Sequence, residues 1–399
     1  MANVSSSNGL EKYPKLRFPG FDEPYRTTTL AEIASLVNRT DPKSNAPIMM
    51  LSAGNGFIMQ SEKYSRDNAG QSLKKYILLR QGELAYNHGA SKAKQFGCCY
   101  ELTEPEARIP YVYHCFKINE AEYTPYVALA LNNPKMDRQL KRLVSSSVRM
   151  DGLLNISFDD YMSVILHLPS YTEQERTADF LKKLDGRIAI QEKLLASLKK
   201  YKRGLLYSFF ANTSSWHGVK IRELGIVITG STPLTSNPNN YTGNGLFCAP
   251  GDLGKSKYIS STEKHISQDA LNKNRKIPKG SILVTCIGST IGKMGIANTE
   301  MLTNQQINSL IVSEEYCGEF IYYALQYYFP QFLSCVGKQA VPILSKGQFE
   351  DLQVCLPTFD AQQKYAGVLS GLDTKIEQEI CLLECMQRQR NGLMQQLFI

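Results

Sequence analysis

The sequence predicts an α+β fold: two strand-rich α/β domains separated by two long helices that pair as an antiparallel coiled coil, with a pseudo-twofold internal repeat. Three observations predict it. One stretch of 43 residues occurs twice. Each copy carries apolar residues at coiled-coil spacing. Short β-branched and aromatic runs, bounded by Gly or Pro, precede each copy and are typical of strands.

The repeat is clearest in residues 168–210 and 356–398, which align without a gap at an offset of 188 with 13 of 43 positions identical. A fainter similarity lies upstream, where Leu30-Ala-Glu-Ile33 resembles Ile221-Arg-Glu-Leu224. Because repeats define an architecture before any local pattern does, we interpret the chain as two copies of one unit.

The upstream similarity continues at an offset of 198, where Gly82 matches Gly280 and Phe96-Gly97 matches Met294-Gly295. The globular parts have diverged far more than the tails. Two copies with a preserved frame and divergent faces suggest one architecture that recognises two different things. The predicted limits are a tail at 1–13, a first recognition domain at 14–167, a first helix region at 168–212, a second recognition domain at 213–355 and a second helix region at 356–399.

Both tails have the heptad pattern of a helix-pair seam, with apolar residues on alternating three- and four-residue steps. Polar residues interrupt the seam at Gln191, Lys202, Glu379 and Arg390. The alternative is that each helix packs only on its own domain, but both copies keep the same stripe. The predicted seam residues are Leu181, Leu184, Ile188, Leu195, Leu198, Leu205, Leu369, Leu372, Ile376, Leu383, Met386 and Leu393.

Composition limits the functional classes. The formal net charge of +8 permits a polyanionic partner without proving one. No apolar run approaches the roughly 18 residues of a membrane span, and the polar start lacks the core of a signal peptide, so we expect a cytoplasmic protein. The ten cysteines show no zinc-binding spacing, so we expect reduced thiols and no metal site.

Catalytic motifs are missing where they would be expected. Gly288-Ser-Thr-Ile-Gly-Lys-Met294 imitates a phosphate-binding loop, but it is one residue short and lacks the Ser or Thr after the lysine. We interpret it as a tight turn between strands. Neither Asn133-Pro-Lys nor Asn237-Pro-Asn is the Asp- or Asn-Pro-Pro-aromatic loop of an amino-methyltransferase. The sequence predicts no catalytic residue.

Two basic windows, 61–97 and 255–279, lie in corresponding parts of the two copies. Lysine and arginine would contact phosphates, and nearby amides would contact base edges. The alternative is a solvated basic face with no ligand. The candidate DNA-binding residues are Lys63, Arg66, Lys74, Lys75, Arg80, Asn87, Lys92, Lys94, Lys255, Lys257, Lys273, Arg275, Lys276, Asn304 and Gln305.

The tails resemble the conserved regions of type I restriction–modification specificity subunits. The resemblance rests on a Leu-Pro pair, a Glu-Gln or Gln-Gln pair and a Leu-Asp-x-x-Ile helix, each occurring twice. The second copy departs at Ala361, where the family usually has Glu. The residues concerned are Leu168-Pro169, Glu173-Gln174 and Leu184–Ile188, then Leu356-Pro357, Gln362-Gln363 and Leu372–Ile376, with Pro14–Pro19 and the Gly230-Ser-Thr-Pro233 turn.

The resemblance implies a non-catalytic subunit that reads double-stranded DNA. Two target-recognition domains would each read half of an asymmetric bipartite site, and the helices would set the spacer. Two methyltransferase subunits, which hold S-adenosylmethionine, and motor-nuclease subunits, which use ATP and magnesium, would join it. The whole complex would be an adenine-specific DNA methyltransferase and type I endodeoxyribonuclease. A helix of about 28 residues spans about 42 Å, which is close to one DNA turn of about 34 Å.

Two other functions remain open from the sequence. One is a coiled-coil scaffold that binds proteins and does not read DNA. The other is a divergent, self-contained DNA-processing enzyme. Salt-dependent DNA binding by an assembled complex would argue against the scaffold, and metal-dependent cleavage by this chain alone would establish the enzyme.

Overall fold

A computed structural model describes residues 2–3, 13–63, 70–91, 94–144, 154–211, 213–335 and 342–399. Two of the predicted DNA-binding residues, Arg66 and Lys92, lie outside these ranges, as does the side chain of Lys63. The chain forms two compact units: unit 1 is Met1–Ile190 with Glu384–Ile399, and unit 2 is Gln191–Leu383. Each combines strands with helices, so the predicted α+β class is confirmed. Within the described ranges, no helix has the length and apolar character needed to cross a membrane.

Unit 1 contains twelve short strands and five short α-helices among its described residues. The strands are β1 Ala2–Asn3, β2 Leu16–Arg17, β3 Arg26–Thr29, β4 Ala34–Leu36, β5 Met49–Ser52, β6 Gly56–Met59, β7 Ile77–Arg80, β8 Leu84–Asn87, β9 Cys98–Glu101, β10 Glu106–Ile109, β11 His114–Ile118 and β12 Ile165–Leu168. The helices are α1 Leu30–Ile33, α2 Gln60–Lys63, α3 Thr124–Leu131, α4 Met136–Leu143 and α5 Phe158–Met162, with a 3-10 helix at Gly70–Lys75.

One long helix follows the last strand of each recognition domain. The first, α6, spans Tyr171–Phe210, and the second, α11, spans Phe359–Leu397. The remaining elements belong to unit 2. Its strands are β13 His217–Lys220, β14 Gly225–Thr229, β15 Gly245–Cys248, β16 Tyr258–Ile259, β17 Lys264–Ile266, β18 Ile282–Thr285, β19 Met294–Ala297, β20 Met301–Thr303, β21 Ile307–Val312 and β22 Gln353–Leu356. Its other helices are α7 Ile221–Leu224, α8 Gln268–Lys273, α9 Gly318–Cys335 and α10 Lys346–Asp351, with a 3-10 helix at Pro238–Tyr241.

The main sheets of the two units share one topology over four strands, and the sheet of unit 2 has β16 as a fifth strand at its edge. Their strand orders are β4-β11-β8-β9 in unit 1 and β14-β21-β18-β19-β16 in unit 2. The register also matches: Phe116 of β11 pairs with Leu36 and Leu84, and Leu310 of β21 pairs with Val227 and Ile282. The faint upstream similarity therefore reflects a duplicated sheet.

A glycine turn precedes β8 in unit 1 and β18 in unit 2, the third strand in the order of each sheet. Gly82 has φ +81° and Gly280 has φ +86°, a left-handed conformation that L-residues rarely adopt. The second predicted glycine match is different. Gly97 has φ +85° and lies beside the Asn87 carbonyl, and it corresponds to Gly292, which has φ +88°. Gly295, the predicted counterpart, lies inside β19. The predicted pairing of Gly97 with Gly295 is therefore wrong, because the connection before β19 differs in length.

The long helices run antiparallel where they pair. In unit 1, Arg390 near the end of α11 contacts Asp185 of α6, with Nε–Oδ1 at 2.8 Å. In unit 2, Lys202 near the end of α6 contacts Asp373 of α11 at 2.6 Å. All twelve predicted seam residues are buried or half-buried on these helices, which is the burial pattern of a coiled coil.

The end of each long helix completes the core of a unit. Phe398, which follows α11, belongs to the main core of unit 1 and stacks on Tyr126 with ring centroids 5.0 Å apart. Phe210, the last residue of α6, belongs to the main core of unit 2 and stacks on Phe320 at 5.4 Å. Phe210 and Phe398 are equivalent in the repeat.

The start of each long helix is joined to its unit by one glutamine. The Gln174 side-chain amide donates to the Pro169 carbonyl at 3.0 Å, and its oxygen accepts from the Tyr123 amide at 2.9 Å. Gln362 does the same with the Pro357 carbonyl at 2.9 Å and the Cys317 amide at 3.0 Å. Both glutamines are about 2% exposed or less, so neither can exchange these bonds for water.

We predict that Gln362→Leu lowers the free energy of unfolding by about 1–3 kcal/mol, because it leaves the partly buried Cys317 amide and Pro357 carbonyl unpaired. The matched control is Gln363→Leu at the neighbouring exposed position. Chemical denaturation of both variants measures the difference. Equal stability of the two variants would show that these bonds are not essential to the frame.

Candidate nucleic-acid interface

Each main sheet has two chemically different ends. At one end, which we call the frame end, the same backbone bond occurs in both units. The Asn119 amide donates to the Ile33 carbonyl in unit 1, and the Ser313 amide donates to the Leu224 carbonyl in unit 2, both at 2.8 Å. The opposite end, called the loop end, consists of residues 37–47, 88–91 and 110–113 in unit 1, and 230–244, 286–293 and 304–306 in unit 2. An equivalent backbone bond thus occurs at both frame ends, whereas the loop ends differ.

In unit 2, hydrogen bonds join three segments at the loop end. The Thr232 hydroxyl donates to the Gln305 side-chain oxygen. The Arg275 amide donates to the Ser231 hydroxyl at 3.4 Å, and the Arg275 guanidinium donates to the Thr229 carbonyl at 3.1 Å. A side chain at Gly230 would collide with the Asn304 carbonyl at 2.3 Å. The Gly230-Ser-Thr-Pro233 turn is thus packed directly against the 304–306 turn.

In unit 1, an aromatic side chain takes the exposed position at the loop end. Tyr111 is 51% exposed, and the Lys75 ammonium lies 5.8 Å from its ring centroid. The Asn87 side chain caps the same end by accepting from the Gly89 amide at 2.9 Å. His88 holds the neighbouring turn through the Val112 carbonyl at 3.0 Å. Exposed aromatic and cationic groups on a rigid turn suit contact with nucleic acid.

The loop end of unit 2 is free of acidic residues in sequence. Segments 229–247, 273–293 and 301–313 contain no Asp or Glu. In unit 1, only Asp41 falls within the loop-end segments, and its carboxylate accepts from the Lys43 amide at 3.0 Å. A surface without carboxylates does not repel phosphate, so the loop ends suit a polyanion.

The structure separates the predicted basic residues by exposure. Lys74, Lys75, Arg80, Lys255, Lys273 and Arg275 are exposed, and Lys276 is half-buried beside Glu300 at 3.2 Å. Arg80 pairs with Glu106 at 3.2 Å and Lys273 with Asp269 at 2.7 Å. Such surface pairs are worth at most about 1 kcal/mol, so they leave these cations available to phosphate.

Lys257 does not fit the prediction of a DNA contact. Its side chain is 3% exposed and pairs with Glu319 at 3.1 Å. It also donates to the Ser370 hydroxyl at 2.7 Å and lies 4.9 Å from the Tyr323 ring centroid. Burial raises the pKa of Glu319, but hydrogen bonds from Ser370, Tyr258 and Lys257 outweigh it and bring that pKa below its usual value. Lys257 therefore joins the second recognition domain to α11.

Lys94 is also partly withdrawn from solvent. Its ammonium donates to the Asn132 carbonyl at 2.7 Å, and burial lowers its pKa. The amide of Asn304 lies inside its turn, where its oxygen accepts from the Gln306 amide at 2.7 Å. Of the predicted amides at the loop end of unit 2, Gln305 is the exposed one.

The polar residues that interrupt the helix seam pair with one another or with the Leu-Asp motif. Gln191 donates to the Glu379 carboxylate, and hydrogen bonds from Lys375 and Gln191 hold the pKa of Glu379 below its usual value. The repeat relates Asp185 to Asp373, so the two salt bridges to these residues are one contact occurring twice. The sequence shows these polar residues of the seam but does not indicate which of them contact one another.

The departure at Ala361 removes one salt bridge from the second copy. In unit 1, Glu173 forms a two-bonded salt bridge with Arg17, with distances of 2.8 and 2.7 Å, and both residues are buried. Position 361 is the repeat equivalent of Glu173. An alanine at this position cannot form the bridge.

The loop that imitates a phosphate-binding sequence is a turn. It connects the antiparallel strands β18 and β19, and its Gly292 amide donates to the Thr285 carbonyl at 2.9 Å. The prediction of a tight turn between strands is confirmed. Within the described ranges, no group of three His, Cys, Asp or Glu side chains is arranged to hold a metal ion.

Comparison with known proteins identifies the second half of the chain. Residues 213–382 match the family model described as type I restriction modification DNA specificity domain. The match covers a little over two fifths of the chain and shows similarity to that family. The resemblance predicted from the sequence is thereby confirmed, and the fainter first copy shares the same sheet topology.

Two specificity subunits of known restriction enzymes are similar to parts of this chain. The chain is 32% identical over 168 residues to the type I restriction enzyme MjaIX specificity subunit of Methanocaldococcus jannaschii, which covers 41% of this chain and 39% of that protein. It is 34% identical over 113 residues to the HindI specificity subunit of Haemophilus influenzae, covering 28% of this chain and 24% of that protein. The chain thus spans about two fifths or less of these relatives.

A solved structure has the same fold over nearly the whole chain. The type I restriction–modification system S subunit from M. genitalium has a TM-score of 0.65 at 14% identity, covering 97% of this chain and 99% of that one. At this identity the likeness concerns the fold alone.

Proposed function

We propose that this chain is the DNA specificity subunit of a type I restriction–modification complex and has no catalytic site of its own. Each unit reads one half of an asymmetric bipartite DNA site. One observation carries the proposal: the frame ends of the two sheets share equivalent hydrogen bonds, whereas their loop ends, which face away from the frame, differ in length and chemistry. A duplicated frame with two different loop sets is what two independent readers require.

The catalytic functions belong to partners in this proposal. Two methyltransferase subunits supply S-adenosylmethionine and flip the target adenine, and motor-nuclease subunits supply ATP and magnesium. The complex is then both an adenine-specific DNA methyltransferase and a site-specific endodeoxyribonuclease. If the purified chain cleaved DNA with a metal ion, the self-contained enzyme would replace this proposal.

The test of the readers is an exchange of one set of loops. Replacing residues 34–118 by the equivalent segment of a related subunit keeps Tyr123, Tyr126 and the start of α6, and so leaves the frame intact. We predict that the methylated motif of the complex changes in one half-site and keeps the other, as measured by methylation-sensitive sequencing. The reciprocal exchange of 225–312 is the matched control and should change the other half. A change in both half-sites from either exchange contradicts independent reading.

The helix pair also supports docking of two identical partners. Among exposed apolar residues on the helices, Leu194 is 42% exposed and Leu382 is 48% exposed, and the repeat makes them equivalent. Tyr171 and Phe359, at 45% and 40%, are a second equivalent pair. Single exposed apolar residues are common on protein surfaces, but the repeat places these pairs at equivalent positions, and two equivalent sites fit two methyltransferase subunits.

We predict that Leu194→Glu or Leu382→Glu reduces the number of methyltransferase subunits bound from two to one, and that the double variant binds none. A buried glutamate at the interface has no partner for its charge. Gln378→Glu, which adds the same charge at an exposed position of α11, is the control and should keep two. Native mass spectrometry counts the subunits, and two subunits on the double variant would place docking elsewhere.

In this proposal the helix pair also sets the length of the spacer between half-sites. The observed contacts locate matched insertion points: after Ala196 in α6 and after Ile376 in α11, between the Gln191–Glu379 and Lys202–Asp373 pairs. One heptad in each helix preserves the seam and adds about 10 Å to each. With base pairs about 3.4 Å apart, we predict about three additional spacer pairs in the methylated motif.

The matched control for this prediction is a heptad inserted in α6 alone, which breaks the pairing and should abolish methylation. An active double insertion with the original spacer would show that another element measures the distance.

A further inference from the structure

The loop ends of the two units hold one structurally equivalent position. Phe116 and Leu310 have the same pairing in their sheets. Counting five residues back from each gives Tyr111 and Gln305, and both are exposed. The turns that carry them are alike: the Tyr113 amide donates to the Pro110 carbonyl at 3.1 Å, and the Ile307 amide donates to the Asn304 carbonyl at 3.0 Å.

The same correspondence joins a second pair of residues. The match of Gly82 with Gly280 makes Lys75 equivalent to Lys273. The segments that follow these lysines occupy the same place: Thr40 bridges to Ile77 in unit 1, and the Ser231 hydroxyl accepts from the Arg275 amide in unit 2. In each unit a lysine therefore stands two residues before the position that meets the loop end, and an exposed side chain stands on the turn before β11 or β21.

We propose that Tyr111 and Gln305 are the specificity-determining contacts to base edges, and that Lys75 and Lys273 contact the flanking phosphates. This rests on the proposed function and names the residues that perform it. The turn before β11 or β21 holds these side chains in a fixed position, because a hydrogen bond closes the turn and a buried strand follows it. The position is therefore set before DNA binds.

The chemistry of the two side chains fits reading of different bases. An amide such as that of Gln305 can bond to the edge of adenine in the major groove, and the hydroxyl of Thr232 holds this side chain in place. Tyr111 offers an apolar ring and one hydroxyl, which suit a thymine methyl group and a single acceptor. Different residues at one position of a shared frame explain how two readers differ in sequence preference.

The two lysines have the complementary role. Lysine is a point charge on a flexible stem and does not distinguish bases. Lys75 lies over the ring of Tyr111, and among the described residues Lys273 pairs with Asp269 at the surface, so both can move to a phosphate.

The experiment uses the complex assembled with methyltransferase subunits and a library of DNA duplexes randomised in both half-sites. Gln305→Ala should reduce discrimination at one base pair by roughly 5- to 150-fold, in the half-site read by unit 2 alone. Gln305→Glu should shift the preference at that pair toward cytosine, because a carboxylate accepts from its amino group. Tyr111→Ala should relax one pair in the other half-site.

Two control variants separate reading from general binding. Lys273→Ala should weaken binding to all sequences alike and reduce the slope of log affinity against log salt by about 0.9. Glu314→Gln, exposed at the frame end, should change neither quantity. A loss of affinity without loss of discrimination for Gln305→Ala, or relaxation in both half-sites, overturns the assignment.

The failure of this inference differs from failure of the proposed function. If the unaltered complex methylates a bipartite motif and Gln305→Ala leaves that motif unchanged, the base contact is wrong and the specificity subunit stands. If the unaltered complex shows no sequence preference in the library, the proposed function itself fails.

Discussion

The register of the antiparallel helix pair is the constraint on which the other features depend. Leucines at heptad spacing would tolerate a slip of one heptad, since every seam position offers similar apolar area. Three polar contacts remove that freedom: Asp185 with Arg390, Gln191 with Glu379, and Lys202 with Asp373. A slip would separate the half-buried Asp373 from Lys202 and the buried Glu379 from Gln191, and the loss of a partner by a partly buried charge costs more than the bond itself provides.

The duplicated frame explains why the loop ends could diverge. Gln174 and Gln362 fix the first turn of each long helix to the frame end, and the same backbone bonds recur beside them. Exposed loop-end residues such as Tyr111 and Gln305 lie outside the hydrophobic cores, so substitutions there change little of the core. The same separation of scaffold and variable loop occurs wherever a rigid sheet presents recognition loops.

Sequence patterns predicted the helices, the seam and the duplicated architecture, because heptad spacing and an ungapped repeat are local signals. They could not predict which residues meet across the pair: Asp185 is identical to Asp373, but its contact with Arg390 depends on helix direction. The sequence also could not predict which basic side chains are exposed. Lys257 and Lys273 look alike in a basic window, yet Lys257 is buried against Tyr323 and Lys273 is exposed. The position shared by Tyr111 and Gln305 has no sequence identity and emerged only from strand register.

The place of Phe398 in the core of unit 1 has a consequence for synthesis on the ribosome. Met394, Leu397 and Phe398 pack with Tyr126 and Leu181 in one core, so residues far apart in the chain must meet before that core closes. Unit 2 draws its core from a continuous stretch, whereas unit 1 must wait for these late residues. During translation the first-made unit is therefore the last to finish, and its apolar surface stays accessible to chaperones in the interval.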